Sequence, residues 1–223
     1  MDFAEIEQRK PSYLAINPKG RVPALVTENG TLTETPALLA YVAQRFPAAK
    51  LAPLDDPFAF ARVQEFNSYL CSTAHVAHAH LRRGARWVDA ANTAAIEAMT
   101  RYVPVAMTQI FELIDGRMLK GPWVLGEAYS ICDPYLYTLS TWLEGDDVDL
   151  DRIPNVRDHR AAWPRATASS AHAPRKVCRG DHFAAWASAR CADSALLFYL
   201  CGFAARATGL IAATFAAERV THP

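Results

Sequence analysis

Pro23 constrains this chain more than any other residue. It stands at the mouth of an apolar run, Ala24-Leu25-Val26, that reads as a β-strand. A proline there cannot donate to a strand ladder, so an edge or a pocket stays open beside it. Just upstream, Asn17-Pro18-Lys19-Gly20-Arg21-Val22 carries a Pro/Gly pair that breaks regular structure. Downstream, Leu32-Thr33-Glu34-Thr35-Pro36 runs straight into Ala37-Leu38-Leu39-Ala40-Tyr41-Val42. Glu34-Thr35 predicts the cap of a helix whose apolar residues Leu38, Leu39, Val42 and Phe46 recur at helical spacing.

Together the two pieces resemble the thioredoxin-like domain of cytosolic glutathione S-transferases, which carries Asn-Pro-x-Gly-x-Val-Pro-x-Leu followed by Glu-Ser/Thr. The resemblance implies a cis Val22–Pro23 bond and a Val22 backbone that pairs with the cysteinyl part of glutathione. It also implies that Glu34 and Thr35 grip the γ-glutamyl end. That placement makes physical sense, because a helix N-terminus offers unpaired N–H groups and a positive dipole end to a carboxylate, while Glu34 takes the ammonium. Glutathione is then the co-substrate, and its thiolate attacks a small electrophile held against a helical domain. The expected partners are glutathione, that electrophile and, in an intact enzyme, a second copy of the chain.

The composition suits this reading. A chain of 223 residues, 51% hydrophobic and 21% charged, can hold one or two small domains with real cores. Formal net charge is zero, which recommends neither nucleic acid nor an anionic membrane as a partner. The five cysteines, Cys71, Cys132, Cys178, Cys191 and Cys201, show no C-x-x-C spacing. They signal neither a disulfide framework nor a zinc site. The start, Met1-Asp2-Phe3-Ala4-Glu5-Ile6-Glu7, is acidic and lacks a signal peptide's apolar stretch, so a reducing cytoplasm is expected. Residues 195–217 are apolar and long enough to span a membrane, but Arg206 sits at their centre, where a charge is costly.

A linker at residues 48–57, with two prolines and two aspartates, marks the end of the first domain. The fold expected is α+β and mostly α. Residues 1–50 form a partial thioredoxin-like domain, residues 58–161 an all-helical C-terminal bundle, and residues 162–223 an anomalous tail. In the bundle, apolar positions 58, 61, 63, 66, 70, 74, 77 and 81 hold a helical stripe. A second stripe runs through Ile96, Met99, Val103, Ile110, Leu113 and Ile114, with Pro104 inside it predicting a kink or a fresh start. Beyond Gly126, Ser130-Ile131-Cys132-Asp133 forms a carboxylate version of the capping box, and the helix it opens is expected to bury Leu136, Leu139, Trp142 and Leu143. The same family carries a Ser/Thr-x-x-Asp box at the central helix of its second domain.

Two stretches depart from the family. Asp2-Phe3-Ala4-Glu5-Ile6 matches the end of the family's second strand, so the βα unit that carries the catalytic Tyr, Ser or Cys is expected to be missing. Past Ala161, residues 163–172 lose all periodicity. If the Ala162 codon ends in A, that base and the first two of the Trp163 codon spell ATG, and the shifted frame allows Met-Ala-Ala-Arg-His-Ser-Val-Gln-Arg-Ala. This resembles the family's late Met-x-x-Arg-Pro-x-Val-Gln-x-Ala. Residues from about 162 therefore read as out-of-frame translation, the alternative being a genuine Ala/Arg-rich tail. The leading functional expectation is a bacterial, β-class-like glutathione transferase, and the alternative is a non-catalytic binding module or inactive remnant of the same fold.

His75, His78 and His80 are the remaining candidates. His75 and His78 lie one turn apart, but the pair alone does not make a metal set, so no metal is assigned and solvated histidines are the plainer reading. The β-class carries an active-site histidine after a Tyr-x-x-x-x-x-His run, matched by Tyr69 to His75. That correspondence implies that His75 orients or polarises the glutathione thiol. The class's next lysine is Val76 here, and its asparagine seven residues earlier is Ser68, with Asn67 next door.

Overall fold

The computed structural model describes residues 5–168 and 197–199. By its contacts the chain divides after Leu38, ahead of the 48–57 linker, into two compact units.

After a 3-10 turn (Glu7–Arg9), the first unit continues with α1 (Pro11–Leu14), whose first residue is a proline, where a missing N–H costs nothing. An antiparallel hairpin follows, β1 (Ala24–Thr27) and β2 (Gly30–Thr33), in register from Ala24 opposite Thr33 to Thr27 opposite Gly30. Thr27 closes its turn, since its hydroxyl donates to the Gly30 carbonyl at 2.8 Å and accepts from the Asn29 N–H at 3.2 Å. The strand expected after Pro23 is thus present, with Ala24 and Leu25 buried. On its other edge β1 pairs antiparallel with β3 (Leu197–Tyr199), giving the order β2-β1-β3. This strand falls within the tail that the sequence sets apart from residue 162 onward. A two-sided ladder satisfies the backbone groups that an edge strand would leave unpaired. The remainder of the 195–217 stretch lies outside the described residues, as does most of the expected tail. Among the described residues no helix is long and apolar enough to cross a membrane.

Helix α2 (Thr35–Arg45) starts in the first unit and runs on into the second. Leu38, Val42 and Phe46 are buried as the helical spacing predicts, while Leu39 is half-buried.

The second unit is all α. Helix α3 (Pro57–Tyr69) is capped by Asp56, whose carboxylate accepts from the N–H groups of Phe58 and Ala59. A π turn (Leu70–Ala74) joins it to α4 (His75–Arg83). Val63, Phe66, Leu70 and Ala74 are buried, but Phe58 is 75% exposed. The eight-position stripe is therefore too long, because Phe58 stands in the first turn beside the cap and the π turn resets the face after Leu70. Helix α5 (Thr93–Leu113), capped by Asn92, runs unbroken through Pro104. Of the kink or fresh start expected there, the fresh start is absent. Burial of Val103 and Met107 on either side holds the helix together where one backbone bond is lost. Leu113 is exposed and Ile114, opening a second π turn (Ile114–Met118), is buried in its place.

Helix α6 (Cys132–Ser140) ends before Trp142, which is half-buried; Leu136, Leu139 and Leu143 are fully buried. Its start is the capping box. The Asp133 carboxylate accepts from the Ser130 N–H at 2.6 Å, and the Ser130 hydroxyl accepts from the Cys132 N–H at 3.2 Å. The hydroxyl thus serves one residue earlier than in the reciprocal form of the box. Asp133 also accepts from the Val124 N–H at 2.8 Å and faces Nε2 of buried His159 at 3.1 Å. Burial pushes the neighbouring Cys132 thiol up to about 12, so it is an inert core residue. Replacing Ser130 by Ala should cost about 0.5–2 kcal/mol of stability. Glutathione affinity should not change; a large affinity loss with unchanged melting would mean that Ser130 acts elsewhere.

Helix α7 (Pro154–Ala168) closes the unit. It passes the expected boundary at 162 because extending a formed helix costs far less than nucleating one.

Candidate functional site

The turn ahead of Pro23 is fixed by buried side chains. Asn17, 1% exposed, donates from Nδ2 to the Arg21 carbonyl at 2.6 Å and accepts from the Lys19 N–H at 3.2 Å. The buried Tyr13 hydroxyl donates to the same carbonyl at 2.7 Å. Gly20 has φ +60°, and a Cβ there would stand 2.9 Å from the Arg9 Cδ and 3.1 Å from the Gln8 carbonyl. Gly20→Ala should therefore destabilise the protein by about 1–2 kcal/mol, read as a lower denaturation midpoint. An unchanged midpoint would mean that this turn is not held as described.

With the turn fixed, Val22 reaches Pro23 through a cis peptide bond, as the resemblance implies. Neither the N–H nor the C=O of Val22 has a hydrogen-bond partner among the described residues. Because Ala24 faces Thr33 across the hairpin, Val22-Pro23 and Glu34-Thr35 lie just beyond the same end of it. Glu34 has φ 72°, a left-handed conformation that costs a residue with a side chain on the order of 1–3 kcal/mol. Its side chain is exposed, and Oε1 accepts from Lys19 Nζ at 2.7 Å; the same ammonium donates to the Thr33 hydroxyl at 2.7 Å. Thr35 is the first residue of α2, and the Thr35 and Ala37 N–H groups stand in the turn that has no intrahelical acceptors. Pro36 between them has no N–H to satisfy. The four first-domain residues singled out in the sequence thus form one constellation: a free backbone edge, a carboxylate and a helix N-terminus.

His75 belongs to the second unit. It opens α4 after the π turn, with Nδ1 3.4 Å from the hydroxyl of buried Tyr135 and its ring edge-on to Trp142 at 5.2 Å. Ser68 is exposed, and Asn67 is fully buried, its side-chain amide without a partner among the described residues. His78 is not simply solvated. Its Nδ1 lies 2.8 Å from the buried Asp146 carboxylate, and its ring stacks on Trp142 at 4.2 Å. His80 packs edge-on against Trp87. Asp146 was beyond sequence reasoning, since 68 residues separate it from His78 and nothing in its own neighbourhood marks it.

Residues 3–50 match the family model described as the N-terminal domain of glutathione S-transferase. The crystal structure of a glutathione transferase homologue from Sulfitobacter, with bound glutathione, is 48% identical, covering 75% of this chain and 78% of that one with a TM-score of 0.69. The chain belongs to the glutathione S-transferase family. A bacterial β-class glutathione S-transferase from Sphingomonas chungbukensis is 27% identical over 74% of this chain and 81% of its own, with a TM-score of 0.59. A maleylacetoacetate isomerase from Pseudomonas aeruginosa is 29% identical over 163 residues, 71% of this chain and 74% of that protein. The thioredoxin-like and helical parts expected from the sequence are those of this family.

Proposed function

We propose that this chain binds glutathione on its first unit and presents the thiol to a small electrophile. The observation that carries the reading is the Val22 backbone, left without a partner among the described residues beside the left-handed Glu34 and the start of α2. The cysteinyl N–H and C=O of glutathione would pair with Val22 as a short strand pairs with a sheet edge. The γ-glutamyl carboxylate would take the Thr35 N–H and hydroxyl, and its ammonium would share Glu34 with Lys19. Support comes from the bound glutathione in the Sulfitobacter homologue. His75 is proposed as the thiol-orienting residue on the family resemblance alone; the thiol proton is released to solvent, and the thiolate forms the new bond to carbon as the electrophile's leaving group departs. The protein supplies binding and electrostatics, while glutathione supplies the nucleophile.

Similarity to the maleylacetoacetate isomerase favours a second reading, in which the thiolate adds and leaves again so that glutathione is regenerated. Isothermal titration with glutathione tests the shared first step. Conjugation of a chromogenic aryl halide, set against isomerisation of a cis-dicarboxylate, separates the two. No heat of glutathione binding to the folded chain would overturn both. The cytoplasmic setting and a homodimer are proposed on the same family grounds.

A further inference from the structure

The tip of the β1–β2 hairpin places an asparagine directly before a glycine, in Glu28-Asn29-Gly30. An asparagine side chain can be attacked at Cγ by the backbone nitrogen of the next residue. Glycine in that next place leaves the nitrogen uncovered, since it has no Cβ. The chain has five asparagines, and its structure disarms the other four. Asn17 is 1% exposed, donates to the Arg21 carbonyl and precedes Pro18, which has no N–H to give up. Asn67 is fully buried. Asn92 accepts from the Ala95 N–H at 3.1 Å, and Asn155 donates to the Asp115 carboxylate at 3.1 Å. The residues that follow those two, Thr93 and Val156, are β-branched and crowd the nitrogen. Asn29 alone is exposed with a side-chain amide that has no hydrogen-bond partner among the described residues. Gly30, also exposed, has φ +122°, and nothing lies within 4 Å of the place a Cβ would take. The Thr27 hydroxyl bonds the Asn29 N–H and the Gly30 carbonyl, so it holds the main chain of the turn and leaves the Asn29 side chain free.

We propose that Asn29 is a spontaneous modification site, which converts to aspartate and isoaspartate through a succinimide. The Gly30 nitrogen gives its proton to solvent and bonds to Asn29 Cγ. The bond from Cγ to the side-chain nitrogen breaks, and that nitrogen leaves as ammonia after taking a proton from water. Water then opens the ring. Attack at Cγ gives aspartate, whereas attack at the main-chain carbonyl gives isoaspartate, whose backbone runs through Cβ and Cγ. Either route consumes water and releases ammonia, with no change of oxidation state. A hairpin tip reaches the reactive geometry by local opening, which takes little free energy where few contacts cross. Isoaspartate lengthens the loop between Thr27 and Gly30, the pair that closes the ladder, and sets a new carboxylate beside Glu28. The glutathione residues lie at the other end of the hairpin, beyond Ala24 and Thr33, so this conversion stands or falls apart from the function proposed above.

The test holds the full chain and the free peptide of residues 27–31 side by side in mildly alkaline buffer, then reads both by peptide mass spectrometry. Asn29 in the folded chain should convert at more than about a tenth of the peptide's rate, because a tip opens readily. It should also outpace Asn17, Asn67, Asn92 and Asn155. Isoaspartate should exceed aspartate among the products, and an isoaspartate-specific methyltransferase should label it from S-adenosylmethionine. Asn29→Gln should lose the label, because the longer side chain would have to close a larger ring. A folded-chain rate below that tenth would overturn the proposal, as would conversion no faster at Asn29 than at Asn92. Label that survives in Asn29→Gln would overturn it too. So would aspartate as the sole product, which marks direct hydrolysis without a succinimide.

Discussion

Asp133→Ala is expected to cost about 3–5 kcal/mol of stability, the scale of loss when one member of a buried hydrogen-bonded network is removed and its partners are left unsatisfied. Its side chain is 0% exposed and its two oxygens take four polar partners. These are the N–H groups of Val124 and Ser130, the Ser130 hydroxyl at 3.0 Å and Nε2 of His159 at 3.1 Å. Deleting the carboxylate strands buried donors, each at about 1–3 kcal/mol when left unpaired. It unties three segments at once: the turn at Val124, the start of α6 and the middle of α7. Since whole domains are stable by only about 5–15 kcal/mol, much of the chain should be unfolded or insoluble at moderate temperature. Chemical denaturation checks this against Ser130→Ala, which removes one hydroxyl and should cost far less. Equal losses in the two variants would mean that the carboxylate acts only as a local cap.

The capping box shows what the sequence could and could not disclose. Ser130 and Asp133 are three residues apart, so their pairing was legible, but His159 is 26 residues from Asp133 and only the fold brings it near. The start of α7 repeats the lesson. Its Val156 N–H donates to buried Asp115 at 2.8 Å, and Asn155 donates to the same carboxylate at 3.1 Å. That cap is supplied from 41 residues away, and no local pattern marks it. Helical periodicity found α3, α5 and α6 but placed Phe58 and Leu113 in the core. A cap geometry and two π turns shift the buried face, and a 3.6-residue repeat carries no sign of either. In the first unit the reading went further, because the site is made of contiguous residues. Two prolines, a glycine and a Glu-Thr pair specify the backbone locally, and the hairpin register alone brings the two pieces to one end. The Lys19–Glu34 contact was missed, since lysine in a loop reads as solvated.

Thr35→Val should weaken glutathione binding by about 1.5–3 kcal/mol, the range for a hydrogen bond to a charged group, or roughly 10- to 150-fold in Kd. The substitution keeps the β-branched shape and removes only the hydroxyl. Thr35 is half-buried at the first position of α2, and its hydroxyl has no partner among the described residues. Melting should therefore stay nearly unchanged while affinity falls, the reverse of the Ser130→Ala pattern. Lys19→Ala gives the internal contrast. The Lys19–Glu34 pair is exposed on both sides, so its loss should cost at most about 1 kcal/mol of stability. It frees the Glu34 carboxylate for the glutathione ammonium, so affinity should hold or rise slightly. Calorimetric titration of the three proteins decides the matter. If Thr35→Val binds glutathione as tightly as the unmutated chain, the γ-glutamyl carboxylate is not held at the start of α2. If Lys19→Ala loses affinity as steeply as Thr35→Val, the ammonium of Lys19 is itself part of the site and holds a ligand carboxylate directly.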